Sequence, residues 1–375
     1  MKSVAIKKIF VDAHVFDTEF QGTRTFLKEI YNILSKKDDL QIYIAANNIE
    51  ILKSEFPDHT NIVFVKYRFT SSVLRLTTEL PYLLNRLKID IAHFQYIVPP
   101  FKNTKHLVTT HDVLFNEYPG EFSKLYRYTR NILFGFSARK ADYLTTVSEY
   151  SRNSIIKHLG INDKEIYVIP NGVNKKFFES YDKPLSEKYI QGKYGVSKFL
   201  LYVSRFEPRK NQLLVLQSFL QLKLYEKDFH LVFLGHTSIP VPEFDQLIFA
   251  QPSHIQERIF ISSQVNDSDL LEFYRAAAVF VYASKAEGFG IPPLEAGALK
   301  IPVLCSNTSA MSDFTFFGEN HFDPNNYDEF TAKLKKLILE GMEDNELKKI
   351  SAVIQEKFLW ENSAEKLYKL LIAKG

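Results

Sequence analysis

Strand-length apolar runs alternate with longer amphipathic stretches along most of the chain. In the first half the runs are KKIFVDAHVF, QIYIAA, NIVFVKY, DIAHFQY, HLVTT, DYLTTV and EIYVIP. The first predicts a strand ending near Asp12, and the loop FDTEFQGTRT then leads into TFLKEIYNILSK, where Phe26, Ile30, Ile33 and Leu34 fall on one helical face. The second half repeats the pattern with KFLLYVS (198–204), FHLVFLG, RIFIS, AAAVFVYA (276–283) and IPVLC (301–305), and NQLLVLQSFLQLKL reads as a helix between two of them. These runs are continuous rather than alternating, as in strands buried on both faces of a parallel sheet. Strand and helix in alternation predict a doubly wound α/β fold.

A chain of 375 residues is long for a single core, so two domains are expected. VIPNGVNKKFF closes the first half on an Asn-Gly turn, and the residues after it are polar and lack a clear period. The expected division is 1–175 for the first domain, 176–197 for a linker, 198–357 for the second domain and 358–375 for a last helix, around WENSAEKLYKLL. Apolar content of 45% and charged content of 24% are ordinary for a globular protein, and no run of apolar residues is long enough to span a membrane. Lys7, Lys8 and Asp12 interrupt the first apolar stretch, unlike the core of a signal peptide, so a cytoplasmic location is expected. A single cysteine, Cys305, excludes an internal disulfide and a cysteine-rich metal site. Residues 1–175 carry 24 basic and 18 acidic side chains, and the remainder 23 and 26, so the first half is the basic one. A net charge of +3 without a basic tail or zinc-finger spacing gives no argument for nucleic acid as a partner.

The candidate chemistry centres on Ser284 to Cys305, SKAEGFGIPPLEAGALKIPVLC. An apolar strand before it, Pro292 and Pro293 at the start of a helix, and IPVLC after it make a strand, loop, helix, strand unit. Ligands of such units bind past the strand carboxyl ends, near a helix amino terminus. Gly288 and Gly290 let the backbone approach a ligand, while Glu287 in the loop and Glu295 in the first helical turn can face one ligand. Carboxylates repel phosphate, so these two should bind hydroxyls of a ribose or a sugar ring, and a cation elsewhere must hold any phosphate. Arg205 follows the strand KFLLYVS and Lys210 precedes a helix, and this pair could supply that cation. His111-Asp112 follows HLVTT at another strand end. Asp267-Ser268-Asp269 has the form of a metal-binding Asp-x-Asp, but Asn266 to Asp269 also has the spacing of a helix cap, and the cap is the reading taken. Ser148 reads as an N-cap as well.

The string EGFGIPPLEA, with its Glu-x7-Glu pair, resembles the signature of the retaining, GT-B-fold glycosyltransferases of family 4. RFEPRKN resembles the segment carrying that family's diphosphate-binding Arg and Lys, the histidine of THD stands where the family has one beside the donor sugar, and CSNTSAMSDF resembles its serine-rich loop. The resemblance implies two Rossmann-like domains facing across a cleft, and transfer of a sugar from a nucleotide diphosphate sugar to a glycan or lipid-linked acceptor. It implies donor contacts from Gly22, Arg205, Lys210, Glu287, Gly288, Phe289, Gly290, Ile291 and Glu295, and roles for His111 and Glu287 at the reacting sugar. The family generally works without a metal or other cofactor, and likeness to bacterial O-antigen and capsule mannosyltransferases makes GDP-mannose the leading donor. Leu299-Lys300 and Ser312-Asp313 depart from the common pattern at positions that can alter acceptor or base contacts.

Two segments, 71–88 and 121–141, mix Arg and Lys with Leu, Phe and Tyr and carry few acids. They can lie on an anionic membrane surface, or pack on a sheet with solvated basic faces. Rival functions are a GT-B phosphorylase or epimerase, and a catalytically silent protein that binds nucleotide sugars. A dinucleotide-dependent dehydrogenase is disfavoured because no GxGxxG follows the first strand.

Overall fold

A computed structural model describes residues 6–17, 22–57, 60–161 and 166–373. The chain divides into two compact units, Met1–Gly172 with Trp360–Gly375, and Val173–Leu359.

In the first unit the apolar runs become β1 (Lys7–Asp12), β2 (Leu40–Ala46), β3 (Ile62–Lys66), β4 (Ile91–Gln95), β5 (Lys105–Thr109), β6 (Tyr143–Thr146) and β7 (Ile166–Val168). They pair in parallel in the order β3-β2-β1-β4-β5-β6-β7. Phe10, Ala92, Phe94, Val108 and Leu144 are buried in one core, as continuous apolar strands require. Strand order reverses between β1 and β4, which opens a crevice beyond their carboxyl ends, and His111 lies two residues past the end of neighbouring β5. The helix Gly22–Leu34 buries Phe26, Leu27, Ile30, Tyr31 and Leu34, so Tyr31 takes a core place that the sequence pattern gave to Ile33.

The last helix, Trp360–Ala373, packs in this unit although it ends the chain. Lys37 Nζ meets Glu365 at 3.1 Å, Tyr368 donates to Asp39 at 2.6 Å, and Phe26 stands edge-on to Trp360. Within the segment 71–88, the helix is interrupted by a π-turn at Arg75–Glu79 before Leu80–Arg86 resumes with Pro81 in its first turn. The buried Glu79 accepts from the amides of Arg68 and Phe69 at 2.6 and 3.1 Å, which ties this turn to the loop before it.

The second unit holds β8 (Phe199–Val203), β9 (His230–Leu234), β10 (Ile259–Ser262), β11 (Val279–Tyr282), β12 (Val303–Ser306) and β13 (His321–Phe322), parallel in the order β10-β9-β8-β11-β12-β13. The reversal lies between β8 and β11, whose carboxyl ends lead directly into RFEPRKN and SKAEGFG.

The stretch 176–197, expected as a linker, is folded into this unit as the helix Lys183–Tyr194. Asp182 caps it, Gly195 ends it in the left-handed region at φ 70°, and Tyr189, Lys193 and Tyr194 all bond the buried carboxylate of Asp269 at 2.7–2.8 Å. The helix attaches through these polar tips with only Ser186 and Ile190 buried, so it carries no apolar stripe to betray it.

Candidate active site

The second unit brings four charged side chains together beyond β8 and β11. Glu207, Arg209, Lys210 and Glu287 are each less than a tenth exposed. Glu287 accepts from Lys210 Nζ, from Arg209 Nη1 at 3.2 Å and from Tyr282 Oη at 2.9 Å. Arg209 also donates to Glu207 and to the Ala286 carbonyl. Two buried cations and two buried carboxylates therefore balance one another. Their supports are local: the Tyr202 hydroxyl donates to the Lys210 carbonyl, and its ring stacks on Tyr282 at 5.6 Å.

Burial alone would raise the Glu287 carboxyl, but Lys210 and Arg209 outweigh it and bring the pKa down to about 2. Burial lowers the Lys210 ammonium, with Glu287 pulling it back up. Glu287 is therefore ionised at neutral pH.

Arg205 stands apart from this knot. Its side chain is 40% exposed and lies 3.8 Å from Glu207. The buried guanidinium is that of Arg209, which sequence reasoning passed over although it adjoins Lys210 in RFEPRKN. Glu207, Tyr282 and Tyr274 were passed over too, having no signal beyond their places near strand and helix ends.

Glu287 and Glu295 engage different partners. Glu295 lies half-buried in the helix Ile291–Ala298 and accepts from Tyr274 Oη at 2.8 Å. Gly290 caps this helix at φ 99°, where a Cβ would stand 3.1 Å from Met311 Cγ, so both backbone and space favour glycine. Gly288 is buried in the same loop, and Ile291 opens the helix half-buried. Phe289 packs its ring between Phe314 and Phe358 at 5.8 and 5.9 Å, which leaves its backbone, not its side chain, for a ligand. The serine-rich loop is laced to the same turn: the Glu287 amide donates to Ser309 Oγ at 2.8 Å, and Ser306 Oγ donates to the Ser284 carbonyl at 2.7 Å.

Asp269 is part of a cap, as expected: its amide donates to Asn266 Oδ1 at 2.9 Å. Ser148 likewise caps the helix Glu149–Leu159.

In the first unit, His111 is buried against the edge of Phe26 and beside Tyr96, with its Nε2 2.7 Å from the Gln95 amide. Burial holds its pKa down at about 3, so the imidazole is neutral. Gly22 starts its helix exposed, and among the described residues nothing beyond its chain neighbours and its own helix backbone comes within 4 Å of where a Cβ would stand. Residues 18–21 of the preceding loop lie outside the described residues.

Residues 22–177 match the family described as Glycosyltransferase Family 4, and residues 186–353 match Glycosyl transferases group 1. The O-antigen chain mannosyltransferase B of Escherichia coli is 28% identical over 378 residues, covering 98% of this chain and 94% of its own. Among solved structures, the sucrose-phosphate synthase of Thermosynechococcus elongatus superposes with a TM-score of 0.76 at 16% identity, covering 98% of this chain and 100% of that one. HepE of Anabaena in complex with UDP-glucose superposes with a TM-score of 0.75 at 15% identity, with coverage of 98% and 100%. The architecture is GT-B: two Rossmann-like domains built on parallel sheets.

Proposed function

From the premise that this chain belongs to the group 1 glycosyltransferases, with a family 4 amino-terminal domain, we propose that it moves mannose from GDP-mannose to a growing glycan or lipid-linked acceptor. In this reading the anomeric configuration is retained. The observation that carries the proposal is the buried Arg209, Lys210 and Glu287 cluster at the strand-order reversal of the second unit. Its cations are held in place before any ligand arrives, so they meet the charge that develops on a leaving diphosphate without reorganisation. Arg205, exposed at the rim, closes on the same diphosphate as a planar fork.

Glu295, held by Tyr274, takes the ribose hydroxyls. Glu287 and the backbone of Gly288, Phe289 and Gly290 orient the sugar at the amino terminus of the helix Ile291–Ala298, and in the first unit His111 offers a ring nitrogen to a sugar hydroxyl. Gly22 lies at a helix start where a donor phosphate can approach. The choice of mannose follows the E. coli relative's name. No metal enters this scheme, because Lys210, Arg209 and Arg205 supply the positive charge. Activity is accordingly expected to survive excess EDTA.

The acceptor side works at the inner face of the cell membrane. The helix Lys124–Lys140 exposes Leu125, Tyr128, Ile132 and Phe136 together with Lys124, Arg139 and Lys140, a mixture suited to anionic lipid. Among the described residues no helix is long and apolar enough to cross a membrane, so contact would be peripheral.

A thermal-shift series with GDP, UDP and ADP tests the donor assignment, since a bound nucleotide raises the melting temperature by mass action. GDP should give the largest rise. No rise with any nucleoside diphosphate would refute the proposed site.

A further inference from the structure

Behind His111 runs a buried chain of polar groups that neither the motif nor the family match assigns. Tyr31 Oη lies 2.7 Å from His93 Nδ1. His93 Nε2 lies 2.7 Å from Thr109 Oγ1 and 3.0 Å from Gln95 Nε2, and Gln95 Oε1 lies 2.7 Å from His111 Nε2. Thr109 Oγ1 continues to Thr145 Oγ1 at 2.7 Å, and Thr145 donates to the Val108 carbonyl at 3.3 Å. All six side chains are buried.

The direction of every bond follows from the two ends of the chain. The Tyr31 hydroxyl has His93 Nδ1 as its hydrogen-bond partner, and in a dry core its hydrogen must be used, so Tyr31 donates. His93 Nδ1 is then the bare nitrogen. Burial holds the His93 pKa down at about 3, with His111 adding to the effect, so the ring is neutral and its one hydrogen sits on Nε2.

The other end agrees. Thr145 donates to Val108, Thr109 donates to Thr145, and Thr109 Oγ1 is left to accept from His93 Nε2. Gln95 faces an N–H at His93 and must present oxygen there. The two ends of an amide are nearly isosteric, so partner chemistry assigns them. The Gln95 amide is therefore turned over, which puts its nitrogen at His111 Nε2, to which it donates, and its oxygen at His93 Nε2. His111 is neutral, with Nε2 occupied as an acceptor, and its hydrogen is forced onto Nδ1. Among the described residues Nδ1 has no hydrogen-bond partner, and the residue keeps 6% of its surface exposed.

We propose that Tyr31, His93 and Gln95 are positioning residues that lock His111 in its Nδ1–H tautomer, so that it presents a donor and not an acceptor to a sugar hydroxyl. The functional part rests on the glycosyl-transfer reading above. A donating Nδ1 engages a lone pair of the hydroxyl oxygen and leaves that hydroxyl's own hydrogen free for a carboxylate or carbonyl. An accepting Nδ1 would use the hydrogen up. The tautomer thus fixes how one hydroxyl of the substrate is shared.

The test uses the full chain labelled with 15N-histidine, where two-bond proton–nitrogen correlations report which ring nitrogen is protonated. The His111 signal is assigned by its loss in His111→Gln. The wild type should show His111 protonated on Nδ1 and His93 on Nε2. In Tyr31→Phe and Gln95→Met, His111 should lose its single tautomer. Their kcat should fall about tenfold with KM for the sugar nucleotide little changed, the loss expected for one neutral hydrogen bond made in the transition state. A wild-type His111 protonated on Nε2 would overturn the proposal, as would a single tautomer and normal kcat in both folded variants. If the tautomers are as assigned and no sugar nucleotide supports transfer, the lock stands and the glycosyl-transfer reading fails.

Discussion

Replacing Glu287 by Gln keeps the side-chain volume and removes one of the two negative charges that balance Arg209 and Lys210. The wild-type carboxylate accepts from both cations and from Tyr282 in a site less than a tenth exposed. Leaving buried charge unpaired typically costs about 3–5 kcal/mol. The titration of Glu287 gives a second figure: a pKa brought from 4.5 to about 2 corresponds to about 3–4 kcal/mol, at about 1.4 kcal/mol per pH unit. The expected loss in Glu287→Gln is therefore about 3 kcal/mol at pH 7, read as the urea midpoint of the second unit. The sign with pH is fixed. The folded pKa lies below the unfolded one, so this stabilisation is complete above 4.5 and fades as pH falls toward 2. The gap between wild type and variant should thus be constant from pH 7 to 5 and narrower at pH 3.5. Freed cations carry net positive charge, so GDP affinity should hold or rise while turnover falls. Equal midpoints at pH 7, or a gap that ignores pH down to 3.5, would refute the reasoning.

Lys210→Ala should weaken GDP binding by about 1.5–3 kcal/mol, the range for hydrogen bonds to charged groups, with a smaller loss for the exposed Arg205→Ala; calorimetric titration checks both. Glu295→Gln should weaken GDP by about 1 kcal/mol and leave affinity for free pyrophosphate unchanged, because the carboxylate is assigned to the ribose. His93 and His111 stay neutral in the fold with pKa values near 3, against 6.5 for a free imidazole, so the unfolded chain binds more protons between these values. Each should therefore contribute stability that is present above pH 6.5 and lost at about 1.4 kcal/mol per pH unit on acidification, and urea midpoints at pH 7, 6 and 5 should fall accordingly.

The strands were legible because parallel-sheet strands are apolar on both faces, and runs such as IYIAA and LLYV can hardly be anything else. β13 was not, since His321–Phe322 is too short to show a period. The helix Lys183–Tyr194 was hidden for the opposite reason: it is anchored by tyrosine hydroxyls and a lysine on Asp269, and such contacts leave no hydrophobic stripe. The π-turn at Arg75–Glu79 depends on tertiary contacts of Glu79 with the backbone at Arg68 and Phe69, and no local propensity encodes it. In the site, the motif placed Lys210, Glu287 and Glu295 on the page by position alone. It could not say that Lys210 is bonded to Glu287, nor that Arg209 rather than Arg205 is the buried guanidinium, because spacing along a strand end does not fix which way a side chain turns.

The most direct test of sugar transfer itself is to incubate the protein with GDP-mannose labelled at the anomeric carbon and lipid-linked glycan acceptors, then read the product by carbon–proton coupling at that carbon. The expected result is labelled mannose joined to the glycan in the same anomeric configuration as in the donor, with one GDP released per linkage formed. Inverted configuration, phosphate-dependent breakdown of a glycan, or GDP-mannose bound without any linkage formed would contradict the account.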